Sequence, residues 1–171
     1  MHCPGGFLDP SERGKMRIRF LGAFLAVAVI SACGGPSAEE QRAAANEARL
    51  AARADSVARA AAAYEAAAFD TIQWPSENDM WERGGVVWSF SCQTCHGSDG
   101  QGQGETAVSA NLDMPDLVAV GWEKAGDLPE IRRAIYVGHE SEMPSWGLVG
   151  LKYRDIDAVA HYIDDLLRAG E

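Results

Sequence analysis

Cys92-Gln93-Thr94-Cys95-His96 is the densest piece of chemistry in this chain. Two thiols three residues apart can each add across one vinyl group of a single haem. A histidine directly after the second falls beneath the ring, where its imidazole reaches the iron. The spacing thus assigns three residues at once: Cys92 and Cys95 to covalent attachment of one haem c, and His96 to an axial position on the iron. A structural zinc site shares the Cys-x-x-Cys part but needs four good ligands, and no second Cys or His pair follows. A redox dithiol belongs at the strand-to-helix turn of a βαβ unit, and no such pattern surrounds these cysteines.

A motif of this kind needs rigid elements on both sides. Ser76-Glu77-Asn78-Asp79 reads as a helix start, a Ser cap with acids in the first turn. The helix it opens carries Met80, Trp81, Gly84, Gly85, Val87, Trp88 and Phe90 into the cysteines. A glycine inside a helix costs about 1 kcal/mol against alanine, so Gly84 calls for a packing reason. The last helix is expected over 154–168, with Ile156, Val159, Ala160, Ile163 and Leu167 at helical spacing. Between them, Gly97-Ser98-Asp99-Gly100-Gln101-Gly102-Gln103-Gly104 lets the chain turn tightly around the haem edge. Its glycines do not make a phosphate cradle, since no lysine and helix start follow.

Residues 77–168 resemble a class I c-type cytochrome domain, of the small bacterial monohaem kind. The resemblance rests on Gly84 and Trp88 ahead of the Cys-x-x-Cys-His motif, on Tyr162 in the last helix, and on Met143-Pro144 followed by Trp146-Gly147. It implies an all-α cytochrome c fold, with N- and C-terminal helices crossing and the haem in a loop-rich pocket. Gly84 would let Tyr162 approach closely, and Met143 would be the sixth iron ligand. A thioether is neutral, soft and weakly binding, which favours ferrous iron and raises the potential over a second imidazole. Pro144 would stiffen that loop. Met114 (also before a proline), His139 and His161 are the rival ligands. Pro115-Asp116-Leu117 is expected to enter a short helix. In the family, a backbone carbonyl near Ser109-Ala110-Asn111-Leu112 accepts the proximal histidine's N–H, and Ala110 stands where a proline is usual. Trp122 and Trp146 are expected against the haem or in the core.

The front of the chain is an address. Arg17 and Arg19 precede an apolar run, Phe20 to Ala32, of about thirteen residues, too short for the roughly 20 that span a bilayer comfortably. Ile30-Ser31-Ala32-Cys33 resembles the bacterial lipobox, in which the cysteine is acylated and becomes the mature N-terminus. Residues 1–32 then form a signal peptide, with Met16 a plausible true start, and Cys33 is the lipidation site. Residues 33–70 are expected to be the lipidated N-terminus and an Ala-rich helical linker, and 71–171 the cytochrome domain. The Ala-rich stretch from Ala38 to Phe69, if helical, is a semi-rigid spacer of roughly 48 Å. Export agrees with the motif, because c-type haems are attached outside the cytoplasmic membrane. The expected location is a membrane-anchored lipoprotein facing the periplasm or the cell exterior. No disulfide is needed.

Charge closes off further classes. The chain carries −10 overall, and from Asp70 onward 18 Asp and Glu face 7 Lys and Arg. Nucleic acid is excluded as a partner, since phosphate binding needs clustered cations. With His96 and Met143 both on the iron, no small-molecule substrate is expected and the protein is not itself an enzyme. The expectation is a membrane-tethered carrier of single electrons, passing between a redox protein donor and acceptor in a respiratory or photosynthetic chain. The runner-up is a fixed haem c subunit of a larger membrane oxidoreductase, such as an oxidase or quinol-oxidising complex.

Overall fold

Ser76 starts the helix that delivers the cysteines. In the computed structural model, which describes residues 35–168, the Ser76 hydroxyl accepts a bond from Asp79 N at 3.1 Å. Glu77 and Asp79 add negative charge at the helix N-terminus, where the backbone dipole favours it. Helix α2 (Glu77–Val87) runs through a wide π-type turn (Trp88–Cys92), closed by Gln93 N–H on Trp88 O, into the short α3 (Gln93–His96). That turn holds one residue more than an α-turn, so it re-phases the chain just before Cys92. Then follow α4 (Glu105–Ala110), α5 (Leu128–Val137), α6 (Trp146–Val149) and α7 (Tyr153–His161), the last continued by a second π-type stretch (Tyr162–Leu167). The fold is all-α, with no strand among the described residues. Among those residues no helix is long and apolar enough to cross a membrane.

Helix α2 crosses α7 at Gly84. A Cβ there would strike the Ala158 carbonyl oxygen and sit 2.6 Å from Tyr162 Cβ, so only glycine fits. The backbone contact lets Ile156, Ala158, Val159 and Ala160 become fully buried. One turn on, the Trp88 and Tyr162 rings lie 6.2 Å apart. Helix α5 completes this core with Ile131 and Ile135.

One charged group lies inside. Asp157, 2% exposed, is ion-paired with Arg132 and accepts the Trp74 indole N–H at 2.7 Å. Arg132 also lies 5.0 Å from the centre of the Phe69 ring. These contacts fasten the segment ahead of α2 to α5 and α7.

The Ala-rich stretch forms helix α1 (Ala38–Ala63), opened by a capping box in which Ser37 Oγ accepts from Glu40 N and Glu40 Oε2 accepts from Ser37 N. It ends six residues short of Phe69. Two tyrosine hydroxyls take over there: Tyr136 and Tyr153 both donate to Ala63 O, and Glu65 N donates to Tyr153 Oη at 2.9 Å. The chain then makes a tight 3-10 turn (Ala66–Thr71) that buries Phe69. Helix propensity favoured continuation; tertiary hydrogen bonds decided otherwise. Nor does α1 stand clear of the domain throughout. Arg53, Ser56, Val57, Ala60 and Tyr64, spaced for one helical face, are turned toward it, while 36–48 are exposed. Cys3, Met16, the expected signal peptide and Cys33 lie outside the described residues.

Two stability outcomes are expected. Gly84→Ala gains up to about 1 kcal/mol in helix propensity but forces a methyl into backbone. It should lower the unfolding free energy of the haem-loaded protein by about 1–3 kcal/mol in urea; an unchanged midpoint would mean the crossing has slack. Asp157→Ala strands Arg132 in the interior and should cost about 3 kcal/mol in the same assay. A loss below about 0.5 kcal/mol would show the pair to be solvated.

Candidate functional site

A cleft of about 310 Å³ opens between the cysteine-bearing run and the loops. Trp88, Cys92 and His96 line one wall, and Met143 lines the cleft from the segment between α5 and α6. Ile131, Ile135 and Ile163 supply an apolar floor. The sequence separates these residues by up to 75 positions, and the α2–α7 crossing with α5 packed beside it brings them together.

Cys92 and Cys95 are free thiols. Burial pushes the Cys92 thiol up to about 12, with the charge of a Cys95 thiolate adding to the effect. Among the described residues no group of three or more His, Cys, Asp or Glu is placed to hold a metal ion. Burial lowers the His96 pKa, so its ring is neutral at pH 7 and its lone pair is available. The Trp88 indole packs 5.9 Å from the His96 ring.

His96 Nδ1 is buried without a hydrogen-bond partner, so the carbonyl expected from 109–112 does not reach it. The segment instead closes helix α4, with its amides turned to the helix end: Asn111 N donates to Val108 O and Leu112 N to Ala107 O. The glycine loop, in contrast, is bonded to the motif, Gly102 N to His96 O at 2.8 Å and Gly104 N to Cys95 O at 3.1 Å.

The rival ligands differ in their surroundings. Met114 also lines the cleft, with its Cβ against the glycine loop, where a Cβ on Gly102 would lie 3.0 Å away. His139 lies at the cleft's exposed mouth, and its Nδ1 is taken by Ser141, 2.8 Å from the hydroxyl and 3.1 Å from the amide N–H. His161 does not line the cleft; its Nδ1 lies 3.0 Å from Asp165. Met143 is half-buried against the core, and its loop is closed by His139 N on Met143 O at 3.1 Å. Gly138 makes that closure possible: its φ is +76°, and a Cβ would lie 2.7 Å from Met143 O. Trp122 lines the cleft, whereas Trp146 packs against the core. Pro115-Asp116-Leu117 does not enter a helix; Asp116 Oδ1 accepts the N–H groups of Val118 and Ala119 and holds a bend instead.

Sequence reasoning missed one set of residues at this site. Arg49 and Arg53 of α1 reach Glu142, next to Met143, at 2.7 and 3.3 Å. The hydrogen bond from Arg49 and the charge of both arginines hold the Glu142 carboxyl below the usual carboxylate range. The signal was the i, i+4 spacing of the two arginines, in phase with Val57, Ala60 and Tyr64.

An apolar cleft lined by two thiols' carrier helix, a neutral buried imidazole and a thioether suits a haem. Residues 79–163 match the family described as cytochrome c oxidase, cbb3-type, subunit III. Fold, cleft and match together make this a class I c-type cytochrome domain, an electron-transfer unit with covalently bound haem c. Among curated proteins, the chain is 32% identical over 85 residues to the Cbb3-type cytochrome c oxidase subunit CcoP of Azospirillum brasilense. That match covers 50% of this chain and 28% of the relative. No solved structure matches significantly.

Proposed function

We propose that this protein is the haem c-bearing electron-transfer subunit of a membrane oxidase complex. The cleft that gathers Cys92, His96 and Met143 within the matched region carries the reading. Cys92 and Cys95 would hold the haem by thioether bonds, and His96 and Met143 would ligate its iron. The bound haem supplies a one-electron ferric–ferrous couple. This chain's residues do the rest. His96 offers a neutral imidazole beside Trp88, and Met143 offers a thioether from the same cleft, a ligand that would favour the ferrous state. Ile131, Ile135 and Ile163 keep water from the cleft floor, and low dielectric likewise favours the less charged ferrous form. With His96 and Met143 both on the iron, no position would be left for a substrate, and the group would supply electron transfer alone.

The tethered-carrier reading of the sequence yields to the subunit reading, because the matched family and the relative are named for oxidase subunits. A membrane-associated, periplasm-facing position goes with it, and acylation of Cys33 would supply the attachment. One observation keeps the free carrier as a second reading: the likeness covers only 28% of the relative, about one cytochrome domain of it.

Absorption spectroscopy tests the ligands. The ferric protein should be low-spin with a weak far-red sulfur-to-iron band that Met143→Ala abolishes and Met114→Ala leaves intact. Loss of the band in Met114→Ala alone would move the sixth ligand there. Detergent extraction tests the assembly: a haem-stained band that migrates with an oxidase supports the subunit reading, and one that migrates alone supports the carrier.

A further inference from the structure

Helix α1 meets the rest of the domain at one place before its apolar stripe begins, and that place is the loop of Met143. Arg49 Nη1 bonds Glu142 Oε1 at 2.7 Å and Arg53 Nη2 bonds Glu142 Oε2 at 3.3 Å, so two arginines one turn apart each take one oxygen of the same carboxylate. One turn further, Ser56 Oγ lies 3.2 Å from Ser145 Oγ, and Ser145 is 3% exposed. The contacts bracket Met143-Pro144 on both sides, at the residue before and the residue after. Below the bracket, Val57 and Ala60 seat the helix against the core, so the arginines are presented by a rigid element rather than by a mobile arm.

We propose that α1 is a clasp that positions the axial methionine, with Arg49, Arg53 and Ser56 as positioning residues that hold the Met143 loop closed over the cleft. The inference rests on Met143 ligation as proposed above. A thioether binds iron weakly, so the fraction of time it stays bound depends on what the loop loses by opening. Within the domain, the loop is held by one backbone bond, His139 N to Met143 O, by the His139–Ser141 contacts, and by the packing of Met143 and Trp146 and the burial of Ser145. The clasp adds three contacts from outside that loop, and opening must break them.

The test uses the full-length, haem-loaded protein and imidazole as a competing ligand. Arg49→Ala/Arg53→Ala should bind imidazole about three- to tenfold more tightly than the parent, the yield of losing two partly exposed ion pairs. Its reduction potential should fall, and the His139 amide should exchange hydrogen faster. Arg59→Ala, which removes the exposed Arg59–Asp55 pair on the same helix, should change none of these. Ser145→Ala should shift imidazole affinity in the same direction as the double variant. Parent-like imidazole affinity and potential in Arg49→Ala/Arg53→Ala overturn the clasp, even if the urea midpoint falls, since a purely structural role moves only stability. If Met143→Ala nevertheless binds imidazole more tightly, the ligation reading survives that result. If neither variant differs from the parent, ligation by Met143 fails and the clasp falls with it.

Discussion

The contact of Gly84 with the backbone of α7 is the constraint on which the rest of the molecule depends. No side chain separates the two helices there, so their axes are brought as near as backbone allows. This fixes where Trp88 emerges one turn later, against Tyr162 on one side and His96 on the other. The wide turn that follows Trp88 sets the phase of Cys92, so the direction of the motif is inherited from a crossing eight residues upstream. A glycine and a π-turn are both locally unfavourable in a helix. Their joint presence over one short stretch is the mark of a segment shaped by its site rather than by helix stability.

The two sides of the cleft are built differently. On the histidine side, hydrogen bonds from the glycine loop to the motif's own carbonyls tie 97–104 to the helix that carries the cysteines. On the methionine side a short loop hangs between α5 and α6, closed at its neck by a left-handed glycine and one backbone bond. Rigidity there must come from neighbours. One such neighbour is α1, a helix outside the matched region, so the domain that the family defines is completed by residues that precede it.

What was legible in the sequence follows from the same asymmetry. The motif, its helix, the Gly84–Tyr162 crossing and the Met143 loop are encoded by residue types whose chemistry has few other uses at those spacings, and they could be read in advance. The His96 partner could not. Which carbonyl approaches a histidine is set by the local path of the backbone, and around Ala110 that path is the end of helix α4, with His96 Nδ1 left unpartnered. The end of α1 was hidden for another reason. Nothing in Ala61 to Ala68 stops a helix locally; the stop is made by Tyr136 and Tyr153, more than seventy residues away. Likewise an Ala-rich helix with a few charges reads as solvated until its arginines are seen to share a face with Val57 and Ala60.

Electron transfer makes the methionine side matter more than its size suggests. A one-electron centre works with little reorganisation only if the ligands keep their places in both oxidation states, and of the two proposed ligands His96 is the more securely held. It sits in a helix, behind Trp88, on a segment bonded to the glycine loop. Met143 has none of that, and proline at 144 limits only the backbone of the residue beside it. The acidic character of the domain bears on the same point. Of the 18 carboxylates from Asp70 onward, most face water and serve solubility or docking. Glu142, by contrast, draws two cations from a separate helix onto the residue next to the weakest bond proposed for the site. An exposed ion pair adds little to global stability. Placed where a weak ligand competes with solvent, the same small energy acts on the population of a single loop, and there a few-fold change alters what the iron sees.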